Sequence, residues 1–421
     1  MMWQRVSCEL ERVDAPGAKG TLMLGDALSV DLSAYFGRVQ CVYLDPPYFT
    51  GDRFTMRMRV GEDGWQSGRR TIELPAFNDF AGASLEDYLA FLREAIHLAR
   101  KLLTDSGSFF LHVDWRASAH ARLLCDAIFG EAQFRNEIIW SYQTGGRSMR
   151  YFSRKHDTIL FYAKSKDHYF DITKVPASRK EQRSNHLKRH VDEHGRSYRS
   201  ITTGGKTYIY YDDEPSYPDD VWTDLSQMQQ KDPQRTGYVT QKPQALLDRI
   251  ILCSTQPDDL VADFMCGSGT SLISAAVNGR QFLGVDSSRQ AFSVCRKRLA
   301  ETAVTCLAPF SQVPVMLDAS AMPGIGFYDV QLNAYTLAGD AFDRYGKKGQ
   351  PMRIAGLDAV DQWYAGLINN GVFVAYASAV RRKQTPALPT ALSIPLLRGT
   401  LAISVMDVLG NRTLWTASGE V

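Results

Sequence analysis

The chain has 421 residues, enough for one large domain and a second smaller one. Hydrophobic residues at 44% and charged residues at 22% are ordinary for a globular protein, and no apolar run reaches the roughly 18 residues of a transmembrane helix. Met1 to Val13 mixes charges with apolar residues, unlike a signal peptide, and the seven cysteines are widely spaced with no CxxC pair. The expectation is therefore a chain of the cytoplasm or nucleoid with reduced thiols, no disulfide framework, no Cys-based zinc site and no membrane partner.

Thr21 to Leu24 is a short apolar run ending in Gly25-Asp26, and Gln40 to Leu44 is a second, ending in Asp45-Pro46-Pro47-Tyr48. Both read as buried parallel strands with a turn and an acid at the C-terminal end. Ser84 followed by Asp87 is a helix cap, and Leu85, Tyr88, Leu89, Leu92, Ile96 and Leu103 keep helical spacing up to a predicted turn at Asp105-Ser106-Gly107. Ser108 to Val113 follows as strand, Ala117 to Phe129 as helix, and Glu137 to Tyr142 and His156 to Tyr162 as strands. Pro243 opens a helix through Leu246, Leu247, Ile250 and Ile251. Leu260 to Phe264 is a strand, Ser271 to Asn278 a helix, and Gln281 to Val285 a strand ending in Asp286. Beyond Ala308 the prolines 309, 314 and 323 mark a linker. The remainder is β-prone, as in Gly371 to Ala379 and Leu401 to Val408, with a hairpin turn over Val408 to Thr413.

Strands alternating with helices at this spacing make a doubly wound α/β sheet, whose ligands sit outside the carboxyl ends of the strands, where each of these acids falls. Charge is unevenly spread along it. Between Gln143 and Tyr210 stand fifteen Lys or Arg against six Asp or Glu, followed at once by Asp212, Asp213, Glu214, Asp219 and Asp220. Charge alone leaves a solvated loop and a nucleic-acid surface equally open.

Asp263-Phe264-Met265-Cys266-Gly267-Ser268-Gly269-Thr270 lies between a predicted strand and a predicted helix, and its glycines let the backbone turn sharply against a ligand. Leu272 replaces the third glycine of a dinucleotide fingerprint. No Lys follows Gly269, and Gly205-Lys206-Thr207 has Ser200 where a phosphate loop needs its first glycine, so neither NAD nor a P-loop fits. Asp286, with Ser287 after it, is placed to accept hydrogen bonds from ribose hydroxyls. If the Asp263 strand is the first of a nucleoside-binding sheet and the Asp286 strand the second, the third and fourth lie at the N-terminus. They are the strands ending in Asp26-Ala27 and Asp45, in a circularly permuted order.

In Asp45-Pro46-Pro47-Tyr48 two prolines fix φ and withhold two N–H groups, so the local carbonyls remain as acceptors. An exocyclic amine is a poor nucleophile because its lone pair is delocalised into the ring. Hydrogen bonds from that amine to the Asp45 carboxylate and the Pro46 carbonyl favour attack on a sulfonium methyl, and Tyr48 offers a face on which a flipped-out base can stack.

On Gly25-Asp26, Leu44-Asp45-Pro46-Pro47-Tyr48, Thr240-Gln241-Lys242-Pro243, the Asp263 to Thr270 loop and Asp286, the chain resembles the β-class DNA amino-methyltransferases. That family includes modification subunits of Type III restriction systems and solitary bacterial enzymes. Weaker similarity runs through His112-Val113-Asp114 and Phe129-Gly130 to Trp140, so the resemblance covers about Leu22 to Leu299. The chain departs from the family's glycine-loop wording at Met265 and Cys266. The resemblance implies S-adenosylmethionine as cofactor, double-stranded DNA as partner, and a cofactor role for Thr240 and Lys242. It implies a doubly wound, circularly permuted Rossmann-like methyltransferase sheet carrying a basic recognition insert and a small β-rich C-terminal domain. The expected division is a catalytic half over 1–163, target recognition over 164–235, a cofactor half over 236–307, and a β-rich accessory unit over 308–421. That last unit suits packing, dimerisation into a homodimer or DNA clamping.

The expected activity is site-specific methylation of adenine N6, as in solitary or Type II-like enzymes. Cytosine-N4 methylation, which commonly has Ser in place of Asp45, and a catalytically silent DNA-binding protein are the alternatives; C5 methylation is closed because the chain has no Pro-Cys pair. In the insert, Arg183, Lys188 and Arg189, interleaved with Tyr169, Tyr198, Tyr208, Tyr210 and Tyr211, are the expected DNA contacts. His186, His190 and His194 recur every four residues as if on one helix face. Their charged neighbours favour a solvated face over a metal site, so no metal is expected.

Overall fold

The computed structural model describes residues 3–6, 8, 10–15, 19–142, 148–176, 188–229, 232–337 and 352–417. Its spine is a sheet in which Val304–Leu307, Gly20–Leu24, Gln281–Asp286, Leu260–Asp263, Val39–Leu44, Leu103–Val113, His156–Ala163 and Phe134–Ser141 lie side by side in that order. The first six run parallel, and His156–Ala163 is antiparallel to both of its neighbours. The permuted order therefore holds: two strands from the N-terminal part flank the Asp263 and Asp286 strands, which lie some 220 positions or more further along the chain.

Every residue of Val39–Leu44 is buried, because both faces of the sheet are covered. Cys41, Tyr43, Val261 and Phe282 pack against the helices Gln244–Ser254, Thr270–Val277 and Arg289–Arg298. Val42, Leu44, Ala262, Leu283 and Val285 pack on the other face against Leu85–Leu102 and Ser118–Phe129. The period-two alternation of a strand thus feeds two helical layers.

Helix Leu85–Leu102 begins with a capping box: Asp87 N–H donates to Ser84 Oγ at 3.1 Å, and Ser84 N–H donates back to the Asp87 carboxylate at 2.9 Å. Its exit refines the sequence reading. The strand begins at Leu103, and its pairing breaks over the expected turn at Asp105-Ser106-Gly107, since Val39 is opposite Leu103 but Cys41 opposite Ser108. The buried Gln40 side chain accounts for this, because it accepts from Thr104 Oγ1 at 2.8 Å and Ser106 Oγ at 3.0 Å and donates to the Ser106 carbonyl at 2.9 Å. Polar residues that signal a turn are here held at a sheet.

The β-rich C-terminal strands do not stand apart from this sheet. Leu10–Val13 pairs with Val304–Leu307 on one side and with Val372–Val380 on the other, so Val360–Asn369, Thr400–Asp407, Arg412–Ala417 and Trp3–Val6 continue the spine. Thr400–Asp407 and Arg412–Ala417 form the hairpin expected around Val408 to Thr413. At the junction Glu11 is fully buried between two guanidinium groups, accepting from Arg296 Nε at 3.0 Å and Arg412 Nε at 2.8 Å. Burial opposes its charge, but the two arginines hold the Glu11 carboxyl down at about 2. A separate sheet, Val315–Pro323, Phe327–Leu337 and Ala391–Pro395, covers one face of this region. A hairpin of Arg53–Arg59 and Thr71–Asn78, not foreseen from sequence, packs Met56, Met58, Ile72 and Leu74 into the same core as Trp363 and Leu367. Among the described residues no helix is long and apolar enough to cross a membrane.

The basic insert holds a three-stranded antiparallel sheet, Arg189–Val191, Ser197–Thr203 and Lys206–Tyr211. This corrects the helical spacing read into the histidines. His190 is on a strand, its ring stacked on Tyr198 at 5.4 Å, and His194 is exposed in the following turn. His186 lies outside the described residues.

Candidate active site

The carboxyl ends of the parallel strands open into a cleft of about 510 Å³. Asp26, Ala27, Asp45, Pro46, Pro47, Tyr48, Thr240, Lys242, Asp263, Phe264, Met265, Cys266, Gly267, Ser268, Thr270, Asp286 and Ser287 all line it. Gly269 is the one predicted loop residue absent from the lining. It caps helix Thr270–Val277 with φ +72°, and a Cβ there would fall 2.6 Å from Cys295 Sγ, so its glycine serves the turn and the close approach of helix Arg289–Arg298.

One end of the cleft is built on main chain. Asp286 accepts from the Gly267 and Ser288 N–H groups, both at 2.8 Å, which fixes the glycine loop against the end of the neighbouring strand. Burial pushes the Asp286 carboxyl up to about 6 despite these bonds. Asp263 accepts from Met265 N–H at 3.1 Å and from the Ser271 hydroxyl, and burial lifts it to about 7. Asp26 accepts from Leu28 N–H at 3.2 Å and Ser29 Oγ at 2.8 Å, at the end of the adjacent strand. Gly267, at φ +50°, approaches Tyr238 so closely that a Cβ would stand 3.1 Å from its ring.

The other end is built on side chains. Tyr48 donates its hydroxyl to Asp45 Oδ1 at 2.6 Å, and the Lys242 ammonium pairs with Asp45 Oδ2. Burial, reinforced by the Asp45 charge, raises the Tyr48 phenol well above its ordinary value, so it stays a donor. The resemblance places Lys242 at the cofactor, whereas its ammonium sits on Asp45, 5.2 Å from the centre of the Tyr48 ring. Thr240 lines the cleft two residues earlier, and buried Gln241 ties the approach by donating to the Gln234 carbonyl at 2.8 Å and accepting from Thr236 N–H at 2.9 Å.

Three side chains behind Tyr48 extend this network. The His112 ring stacks on Tyr48 with centroids 6.0 Å apart. Its Nε2 lies 3.1 Å from Asp157, which only accepts, so in the neutral ring Nδ1 accepts from the Tyr43 hydroxyl at 2.8 Å. Burial would raise the Asp157 carboxyl, but its hydrogen bond with His112, the nearby Lys242 charge and the Tyr142 hydroxyl bring it below its ordinary value.

Asp79 is a residue that sequence reasoning missed. It is buried and accepts from Phe49 N–H at 2.8 Å, Thr50 N–H at 3.1 Å and Thr50 Oγ1 at 2.6 Å, pinning the chain just after Tyr48. Phe49 there has φ +60°, a left-handed conformation costly for an aromatic residue. Phe54, Phe77, Phe80 and Phe91 add an apolar wall to the cleft, also unforeseen.

Of the expected DNA contacts, Arg183 lies outside the described residues. Lys188 is exposed, and Arg189 is ion-paired to Asp212 at 2.8 Å. Arg196 pairs with Asp213 at 2.8 Å, so the acidic stretch folds back on the basic one.

A doubly wound sheet with a glycine loop, an acid at the next strand end and an Asp-Pro-Pro-Tyr element in one cleft defines a class, the amino-methyltransferases of the nucleoside-binding α/β enzymes. Residues 39–297 match the profile of the N6_N4_Mtase family, described as DNA methylase, and the chain belongs to that family. It is a DNA methyltransferase, with S-adenosylmethionine as its cofactor. The chain is 25% identical over 338 residues to the Type II methyltransferase M.EcaI of Enterobacter cloacae, covering 68% of this chain and 71% of that one. To the DNA adenine methyltransferase YhdJ of Escherichia coli (strain K12) it is 24% identical over 298 residues, covering 70% and 87%. Among solved structures, the cytosine-N4-specific PvuII DNA methyltransferase aligns with a TM-score of 0.46 at 14% identity, over 70% of this chain and 90% of that one.

Proposed function

We propose that the chain methylates adenine N6 at a specific sequence in double-stranded DNA. The observation that carries this reading is Asp45: a carboxylate, not a hydroxyl, heads the Pro-Pro-Tyr element, with both oxygens already engaged by Tyr48 and Lys242 at the cleft wall. A DNA adenine methyltransferase among the relatives supports the same choice of base.

The glycine-loop end fits S-adenosylmethionine. Gly267 leaves space a Cβ would fill against Tyr238, Asp26 and Asp286 present acceptors at adjoining strand ends, and Phe264 and Met265 give apolar surface beside them. Asp286 with Ser287 would take ribose hydroxyls, Asp26 with Ala27 the adenine amino group, and the backbone of Asp263 to Thr270 the remainder. When bound there, the cofactor supplies an electrophilic methyl on a positively charged sulfur.

The chain's own residues prepare the nucleophile. The Asp45 carboxylate and Pro46 carbonyl accept the two hydrogens of the exocyclic amine, drawing its lone pair out of the ring. Tyr48 stacks on the extruded base, its plane set by His112 beneath and its hydroxyl held by Asp45. Lys242 pairs with Asp45 until the amine arrives, then gives way along its flexible stem. Asp45 accepts the proton that the nitrogen sheds. Sequencing that distinguishes modified bases, applied to DNA from cells expressing the chain, tests the reading: N6-methyladenine within one short motif is expected. N4-methylcytosine would overturn the choice of base, and unmodified DNA the activity.

A further inference from the structure

The strand ends around Asp45 carry a second feature that the proposed chemistry does not use. Leu44 pairs with Leu111 and Val113 with Thr158, so Asp45 is level with His112, and the chain entering strand His156–Ala163 arrives above it at the same open end of the sheet. His156 is level with residue 115, three residues beyond His112. At about 3.3 Å per residue and 4.8 Å per strand, the base of this segment stands ~10 Å above and ~10 Å to the side of Asp45. Met149 and Phe152 project from it almost wholly into solvent, 96% and 97% exposed.

Isolated exposed apolar residues are common, but these sit in a charged, ordered setting. The Arg154 guanidinium lies 3.7 Å from the centre of the Trp115 ring and 4.9 Å from that of Tyr151, held between the two. Arg116 covers Trp115 as well, at 4.8 Å, and is itself tied to Asp114. Tyr142 N–H donates to the Lys155 carbonyl at 3.0 Å, closing the base of the segment. The result is a stacked aromatic and cationic cluster on this segment, which also carries the exposed Met149, Arg150 and Phe152.

We propose that Phe152, on the segment anchored by the Trp115, Tyr151 and Arg154 stack, is the wedge that enters duplex DNA where the target base leaves the stack. The occupant is the duplex flanking that base. Cations of the cluster match its phosphates, and an apolar ring offers the bases on either side the contact that the departed base gave up. The inference rests on the reading that a base of duplex DNA is extruded into the Asp45 cleft. Opening a base pair costs a few kcal/mol, least for a base without a partner, so a wedge matters most when the target is paired.

The test is methyl transfer from labelled S-adenosylmethionine to two synthetic duplexes carrying the sequence found modified in cells, one fully paired and one with an abasic site opposite the target. Phe152→Ala should lower kcat/KM on the paired duplex about tenfold or more, yet stay within about threefold of wild type on the abasic one, while Phe152→Trp stays near wild type on both. S-adenosylmethionine binding by calorimetry should be the same in all three proteins, since the side chain touches nothing in the core. Equal losses on both duplexes, or no loss on the paired one, would overturn the wedge alone. A wild-type protein that transfers methyl to neither duplex would instead overturn the reading beneath it.

Discussion

Asp286 and Asp45 line the same cleft, yet one is gripped by the main chain and the other by side chains. Asp286 accepts two backbone N–H groups, Asp263 one and Asp26 one. Asp45 is held by Lys242 and Tyr48, Asp157 by His112 and Tyr142, and, out on the insert, Asp212 by Arg189 and Asp213 by Arg196. A backbone donor has no rotamer to change, so the first set is in place before any ligand arrives. Side-chain partners can be exchanged, an ammonium for an amine hydrogen or a carboxylate for a phosphate. On the proposed reading, the cofactor end of the cleft is thus held rigidly, and the acid at the DNA end by exchangeable partners.

The largest effect that sharpens this contrast comes from Asp45. Asp45→Ala should lower methyl transfer by about a thousandfold or more, ~4 kcal/mol of barrier, while S-adenosylmethionine affinity changes by less than about tenfold. A binding titration beside a single-turnover assay reads both numbers. Retained turnover would remove Asp45 from the chemistry.

At the rigid end the pattern reverses. Asp286→Ala should weaken S-adenosylmethionine binding about tenfold or more by calorimetry, ~1.4 kcal/mol, since the proposed ribose contact and two loop anchors go together. Burial also makes this end pH-sensitive. A carboxyl lifted to about 6 keeps its proton longer in the folded chain than in the unfolded one, so on its account folding stability falls as pH climbs from 4 through 6. Cofactor affinity moves the other way, because binding needs the ionised acceptor: from pH 8 to pH 5, one unit below that value, it should fall about tenfold. Asp286→Asn should erase the step near pH 6 and leave any step near pH 7 that belongs to Asp263. An unchanged step in that variant would assign the titration elsewhere.

The strand ends that line the cleft were the most legible part of the site in sequence. Buried parallel strands write themselves as continuous apolar runs, and their terminal acids at Asp26, Asp45, Asp263 and Asp286 come within a few residues of each run. What sequence hid was contact across distance. Asp79 holds Phe49 and Thr50 from about thirty positions away, and nothing local to Asp79 announces it. The hairpin carrying it did leave a signal, since Met56 and Met58 face inward and Arg57 and Arg59 outward with the period of two expected of a strand. Leu10–Val13 reads as polar because of Glu11, whose partners lie 285 and 401 positions away, so the joining of the C-terminal strands to the main sheet could not be read from either segment. The histidine spacing at 186, 190 and 194 misled for a related reason: a four-residue repeat suits a helix face, but a Gly195-centred turn between two strands spaces residues the same way.

The smallest effect is expected at the insert, where exchangeable pairs meet DNA. Lys188 is exposed, and on the proposed reading its loss should reduce the salt slope of DNA binding by up to about 0.9, the value for one phosphate contact. Arg189 must first leave Asp212, 2.8 Å away, so the counterions it can release on meeting a phosphate are fewer. Arg189→Ala should therefore flatten the slope by less than Lys188→Ala does, yet weaken binding at every salt concentration, because Asp212 is left facing the phosphates with a weaker partner in Arg199 at 4.0 Å. Removing Asp212 as well should restore most of that affinity. Titrating labelled duplex at several salt concentrations with the two single variants and the Arg189→Ala, Asp212→Ala double variant measures all three quantities. If Arg189→Ala flattens the slope as much as Lys188→Ala and the double variant restores nothing, the Arg189 pair is not the competitor of phosphate, and the exchangeable character assigned to the DNA end stops at the cleft.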